Sequence, residues 1–132
     1  MTEAVIDASA MLAMLDLEPG GEITREWLER GPCAMSAVNL SEVVAKLSER
    51  GGTELSIRRI TSRLGIEVVP FDASDAVGAG LLRAATRPFG LSLGDRACLQ
   101  LATRLKLPVL TTDRQWARLS IGVPLVLTRT DA

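Results

Sequence analysis

The chain has 132 residues, 47% of them hydrophobic, which is enough to fill the core of one domain. Its formal net charge of −1 excludes a generally basic nucleic-acid-binding protein. The sequence contains no histidine, which excludes Ser-His-Asp triads and most zinc sites.

Neither a targeting signal nor a disulfide is expected. No apolar run reaches the roughly 18 residues of a membrane span, and the start, MTEAVIDAS, lacks the basic region and apolar stretch of a secretory signal. Cys33 and Cys98 stand apart in apolar surroundings, which is typical of reduced, buried thiols. We therefore expect one cytoplasmic domain over residues 1–132, with no membrane segment.

Strands and helices are predicted to alternate along the first half of the chain. In the last of these helices Asn39 is the predicted N-cap and Glu42 occupies the N3 position of a capping box. The predicted elements are a strand at Ala4–Ile6, a helix at Ala8–Leu15, a helix at Glu22–Arg30, a strand at Cys33–Met35 and a helix from Asn39 to Gly51.

The second half continues this alternation, which predicts an α/β sandwich with a mainly parallel sheet. In its first helix Ile57, Ile60 and Leu64 are predicted to face the interior. The predicted elements are a helix at Thr53–Leu64, a strand at Ile66–Val69, a helix at Ser74–Ala85, a helix from Ser92 to Leu105, a strand at Pro108–Leu110, a turn at Arg114–Trp116 and a strand at Pro124–Leu127.

The stretch from Ser92 to Asp113 predicts where two acids meet. Ser92 is the predicted N-cap of a helix, and Asp95 completes a capping box at N3. From Asp95 to Leu105 the helix descends about 15 Å, and from Pro108 to Asp113 an extended chain climbs about 16 Å. The two acids are therefore predicted to return to one level, at the C-terminal edge of the sheet.

Four acids in all are predicted at this edge, because each follows a strand or opens a helix. Each also has a structural alternative, as a helix cap or as the start of a turn. Together, four carboxylates would repel one another without a cation, and an all-oxygen site favours Mg²⁺ or Mn²⁺. Such an ion serves hydrolysis of phosphate esters. This acidic quartet consists of Asp7, Glu42, Asp95 and Asp113.

Four segments around the acidic quartet resemble a PIN domain, and in particular the VapC-type ribonuclease toxins of toxin–antitoxin pairs. They are VIDASAML, SAVNLSEV, LSLGDRACLQLA and LTTDRQW. The resemblance spans essentially the whole chain and implies a single PIN domain over residues 1–132, folded as a three-layer α/β/α sandwich. It also implies a Mg²⁺-dependent endoribonuclease that cleaves RNA, frequent homodimers and inhibition by a cognate VapB-type antitoxin.

Carried over to this sequence, the resemblance makes the acidic quartet the metal-binding and catalytic residues. It places two hydroxyls, those of Ser9 and Thr111, beside the metal. The chain departs from the family at Trp116, where Phe is commoner, and at Gly94, where Ala is also frequent. We expect neither departure to touch a ligand.

An alternative reading is a catalytically silent PIN-like module that binds protein or RNA. An intact acidic quartet argues against it, and RNA cleavage with Mg²⁺ and with EDTA would separate the two. For the antitoxin, exposed apolar positions on the helix at Glu22–Arg30 and on the helix from Asn39 are predicted to form a groove. A G-x-S-x-G match at 90–94 is rejected as a nucleophile elbow because the chain has no histidine.

Overall fold

The structure is a computed structural model and describes residues 1–129. Within this part of the chain, five short strands form one sheet in which every neighbouring pair is parallel. The strands are β1 (Val5–Ile6), β2 (Cys33–Ser36), β3 (Ile66–Val69), β4 (Val109–Thr111) and β5 (Leu125–Leu127). They lie in the order β3-β2-β1-β4-β5, which confirms the predicted parallel α/β architecture.

Helices cover both faces of this sheet and complete the three-layer sandwich. One face is packed by α1, α2 and α3, and the other by helices that include α7. The α-helices of the described residues are α1 (Ala8–Leu15), α2 (Gly21–Arg30), α3 (Ala37–Glu49), α4 (Glu54–Thr61), α5 (Ala73–Leu81), α6 (Arg83–Thr86) and α7 (Leu93–Leu105). Short 3-10 helices occur at Arg87–Phe89 and Arg114–Arg118.

Two apolar cores lie on opposite faces of the sheet because successive strand residues point to opposite sides. Ile6 and Leu110 belong to the first core cluster, whereas Val5 and Val109 belong to the second. Both faces of the sheet are therefore buried away from solvent at β1 and β4. This burial explains why these strands show no alternation of apolar and polar residues.

The connections place β1 and β4 at a topological switch point. The chain leaves β1 for β2 across the α1 face, and it reaches β4 from β3 across the α7 face. In open parallel sheets the crevice at the carboxyl ends of two such strands is where ligands bind. Asp7 follows β1 directly and Asp113 follows β4 by two residues, so both lie at this crevice.

The predicted N-cap of α3 was wrong. Ser36, the last residue of β2, caps the helix by accepting a hydrogen bond from the Val38 N–H group at 3.2 Å. The helix therefore begins at Ala37, so that Asn39 is its third residue and Glu42 its sixth, rather than the cap and the N3 residue. Serine and asparagine are both good caps, and the strand that ends in Ser36 decided between them.

Three smaller predictions also differ from the structure. The helix predicted over Ser74–Ala85 is divided into α5 and α6, in a segment that two glycines weaken. Ile60 is 36% exposed rather than interior. The large apolar side chains of α2 are half-buried rather than exposed, since Trp27 and Leu28 pack against the first core cluster and Arg30 lies over the Trp27 ring. No helix within residues 1–129 combines the length and apolarity needed to cross a membrane.

Candidate active site

Asp7 lies between the end of β1 and the start of α1, which it caps. Its Oδ1 atom accepts hydrogen bonds from the Ala10 N–H group at 2.8 Å and from the Ser9 hydroxyl at 2.7 Å. The residue is only 4% exposed, and this burial raises the pKa of Asp7 to about 6. Hydrogen bonds from Thr111, Ala10 and Ser9 oppose the rise in pKa, while the charge of Asp95 adds to it.

Ser9 and Thr111 join the carboxyl ends of β1 and β4. Their hydroxyl oxygens lie 3.5 Å apart. The Ser9 oxygen accepts a hydrogen bond from the Thr112 N–H group, and the Thr111 oxygen accepts one from the Asp113 N–H group, both at 3.1 Å. The two predicted supporting hydroxyls are thus both beside Asp7, while their role toward a metal stays a prediction.

Glu42 reaches from α3 to the first turn of α7. Its Oε1 atom accepts a hydrogen bond from Asn39 Nδ2 at 2.9 Å, and the same amide nitrogen donates to the Gly94 carbonyl at 3.0 Å. A Cβ atom on Gly94 would lie 2.5 Å from the carboxyl carbon of Glu42. The expectation that Gly94 would stay clear of the acids was therefore wrong, since the absence of a side chain permits this approach.

Asp95 and Asp113 also have the structural roles that their spacing predicted. Asp95 Oδ2 accepts a hydrogen bond from the Ser92 N–H group at 3.0 Å, and Ser92 Oγ accepts one from the Asp95 N–H group at 3.2 Å. This capping box is as predicted. Asp113 Oδ1 accepts a hydrogen bond from the Gln115 N–H group at 2.9 Å and so begins the 3-10 helix.

Three acids of the quartet act electrostatically on the buried thiol of Cys98. Its side chain is fully buried on α7, one turn after Asp95. Burial raises the pKa of this thiol well above its ordinary value, and the negative charges of Asp7, Asp95 and Glu42 raise it further. These three carboxylates are therefore near enough to act on the thiol electrostatically, while the Asp113 N–H group donates to Thr111, which is itself hydrogen-bonded to Asp7.

The carboxylates are not drawn together tightly. Within residues 1–129, no three Asp, Glu, Cys or His side chains form a group that could hold a metal ion as they stand. Each acid of the quartet instead accepts a hydrogen bond from a neighbouring N–H or O–H group. Asp7 is buried and Glu42 and Asp113 are exposed, so the cluster extends from the sheet edge to the surface.

Sequence reasoning missed Asn39 as a residue of this site. It was assigned to the helix cap, whereas it is 2% exposed and touches both Glu42 and the α7 backbone. The available signal was its position three residues before Glu42, a spacing that puts two helical side chains on one face.

The sheet order, the helices on both faces and the carboxylates at the switch point define an α/β/α sandwich with an acidic crevice. A sequence model of the PIN domain matches residues 4–122. The chain therefore belongs to the PIN domain family, as its four motifs indicated.

Relatives in sequence and in structure agree with this membership. Ribonuclease VapC42 of Mycobacterium tuberculosis is 34% identical over 106 residues, which cover 74% of this chain and 81% of that protein. The DNA-bound VapBC structure from Salmonella typhimurium shares 17% identity over 96% of this chain and 98% of that one, with a TM-score of 0.73. A toxin–antitoxin complex from Klebsiella pneumoniae shares 17% identity over 98% and 100%, with a TM-score of 0.71. At these identities the two structures show the fold alone.

Proposed function

We propose that the chain is an endoribonuclease, the toxin of a toxin–antitoxin pair, which hydrolyses RNA phosphodiester bonds with Mg²⁺ or Mn²⁺ as cofactor. The acidic quartet holds the ion in this proposal, with Ser9 and Thr111 in support. The observation that carries it is the position of the acids: Asp7 and Asp113 follow β1 and β4 at the switch point, and Glu42 lies against the first turn of α7, which carries Asp95. The 34% identity to proteins named VapC ribonuclease supports the same substrate class.

The donor chemistry of the acidic quartet fits a hard divalent cation. Carboxylate oxygens are the ligands that Mg²⁺ and Mn²⁺ prefer. Burial raises the pKa of Asp7, and the charge of Asp95 adds to the rise, so a cation held by the two carboxylates would favour their charged forms. When bound, a divalent cation lowers the pKa of an attacking water and stabilises charge on the scissile phosphate.

The chain's own residues orient the carboxylates. The Ser9 hydroxyl and the Ala10 N–H group fix one oxygen of Asp7, and Thr111 holds the same side chain from the neighbouring strand. Asn39 holds one oxygen of Glu42. The chain contains no histidine, so no imidazole is available to transfer protons in this site.

The antitoxin is assigned to a groove of about 450 Å³ between α3 and α4, called here the α3–α4 groove. Leu40, Val44 and Ile57 give it an apolar lining, while Glu54 and Arg58 add charge at its edge. An apolar groove between helices suits an amphipathic segment of a partner protein. A basic side chain at the end of that segment would pair with the acidic quartet.

A homodimer and a cytoplasmic location complete the proposal. Val77 and Leu81 are 62% and 76% exposed, and their spacing of four places them on one face of α5. This apolar pair is available to a second copy of the chain. Cys33 and Cys98 are free buried thiols, as suits a reducing compartment.

Cleavage of RNA by the purified chain tests the proposal. The parent chain, Asp7→Asn and the control Glu54→Gln are incubated with RNA in Mg²⁺, in Mn²⁺ and with EDTA. Glu54 is an exposed acid on α4, paired with Arg58, so its loss should leave cleavage unchanged. We expect the parent and the control to cut in metal and Asp7→Asn to be inactive.

Two results would contradict parts of the proposal. Equal cleavage by the parent and by Asp7→Asn, or full cleavage in EDTA, would contradict the proposal that the acidic quartet binds a catalytic metal ion. No cleavage by the parent in either metal would favour the catalytically silent module that binds protein or RNA.

A further inference from the structure

Asn39 is a buried polar residue beside an exposed acid. Its side chain is 2% exposed, whereas Glu42, one turn further along α3, lies at the surface. The Asn39 Nδ2 atom donates two hydrogen bonds, one to Glu42 Oε1 and one to the Gly94 carbonyl. Its Oδ1 atom is buried without a hydrogen-bond partner among the described residues.

This arrangement is costly for a residue that serves only the fold. A buried amide oxygen without a partner is unfavourable, and an apolar residue of the same size would avoid that loss. The Nδ2 atom, in contrast, makes two bonds with good lengths of 2.9 and 3.0 Å. The amide at this position is therefore explained by the two groups to which its nitrogen donates.

The Asn39 Nδ2 atom holds the Glu42 carboxylate against α7. A glutamate at the surface samples several rotamers, and fixing one of them costs conformational entropy. Two contacts restrict Glu42 here: the hydrogen bond from Asn39 on one side and the bare Cα of Gly94 on the other. The carboxylate is thereby kept beside Gly94 in the first turn of α7, the turn that also carries Asp95.

We propose that Asn39 is a positioning residue, which holds the Glu42 carboxylate against the first turn of α7 so that it is ready to bind the divalent cation. The inference rests on the proposed function, because it presumes that the acidic quartet binds metal. Asn39 does not itself touch the ion or the substrate. Its contribution is made through Glu42, so it disappears when Glu42 can no longer act.

Binding of Mn²⁺ to the purified chain, followed by the electron paramagnetic resonance of free Mn²⁺, measures this contribution without any reaction. The variants are Asn39→Leu, which keeps the volume but removes the donor, and Asn39→Ala, which removes both. We expect each to raise the Mn²⁺ half-saturation concentration about tenfold or more, the usual effect of losing a residue that orients a metal ligand. In a Glu42→Gln background the same changes should alter it by less than about twofold, because interacting residues are not additive.

Gln100→Ala is the matched control. Gln100 Nε2 also donates to a carboxylate, that of Asp75, at 2.9 Å, but on the side of α7 that packs against α5. Its loss should change the unfolding midpoint and leave the Mn²⁺ half-saturation unchanged.

The outcomes separate this inference from the proposed function. Unchanged Mn²⁺ binding in folded Asn39→Leu, or equal losses with and without Glu42, would overturn the positioning role while leaving the metal site intact. Failure of both Asn39 variants to fold would assign the residue to the fold and also overturn it. If the parent chain bound no Mn²⁺ and Asp7→Asn cut RNA normally, both proposals would fail together.

Discussion

Replacing Asp7 with asparagine is expected to abolish RNA cleavage and, in the absence of metal, to stabilise the protein at neutral and alkaline pH. Asp7 is 4% exposed, and its burial raises its pKa from 3.8 to about 6. Asparagine preserves the shape of the side chain and the oxygen that caps α1 through the Ala10 N–H group. It removes the charge whose burial is unfavourable.

The expected gain follows from the difference in pKa between the folded and unfolded states. A difference of about 2 pKa units corresponds to about 3 kcal/mol at high pH. Because the folded-state pKa of Asp7 is the higher one, the folded protein binds the proton more tightly. Stability is therefore lost as the pH rises from 3.8 to about 6, and it stays lost above that range. The new amide forfeits the hydrogen bond from Thr111, about 1 kcal/mol, which leaves a net gain of about 2 kcal/mol.

Urea unfolding followed by tryptophan fluorescence measures this gain, with the parent, Asp7→Asn and the control Asp113→Asn in metal-free buffer at pH 8 and pH 4.5. At pH 8 the urea midpoint of Asp7→Asn should exceed that of the parent. In a thermal scan at the same pH, its unfolding midpoint should be higher by on the order of 8 °C. At pH 4.5 the advantage in unfolding free energy should shrink by about 2 kcal/mol. Asp113 is exposed, so its variant should change little at either pH.

The reasoning would be refuted if Asp7→Asn were less stable than the parent at pH 8. It would also be refuted if the difference between the two proteins were the same at both pH values, since a buried charge must titrate. Loss of cleavage in a variant that gained stability would separate the chemical role of Asp7 from any role in folding.

Three further predictions address the metal, the fold and the partner. Saturating Mg²⁺ or Mn²⁺ should raise the thermal midpoint of the parent and much less that of Asp95→Asn, and equal shifts would count against the metal site. Asp75 is buried and accepts a 2.9 Å hydrogen bond from Gln100, so Asp75→Ala should cost about 2–4 kcal/mol in urea unfolding. Glu54→Ala, which removes an exposed acid, should cost less than about 1 kcal/mol in the same measurement. Equal losses of unfolding free energy in the two variants would contradict the burial argument. Expression of the chain alone should slow growth of the host and co-expression of the adjacent gene should restore it, whereas Asp7→Asn should need no rescue; harmless expression of the parent would contradict a toxin.

Much of the fold could be predicted because the relevant contacts are local. The capping box of α7 joins Ser92 to Asp95, three residues apart, and both of its hydrogen bonds are present. The apolar runs that became β1 and β4 are covered on both faces, so their composition already indicated a parallel sheet. The predicted start of α3 was wrong because two possible capping residues, Ser36 and Asn39, lie close together. Only the end of β2 at Ser36 selects between them.

The sequence by itself determined which residues are proposed to carry the chemistry: an oxygen-only set of acids, each at the end of a strand or in a following helix, and no histidine. The tertiary structure alone decided how these acids are held. It buried Asp7 between the end of β1 and the start of α1, which raised its pKa, and it laid Glu42 on Gly94 with Asn39 as the link. Asn39 and Gly94 are 55 residues apart, and no local pattern marks either as the partner of the other. Such a contact depends on the packing of α3 against α7 over the switch point, where side-chain shape and desolvation act and sequence periodicity does not.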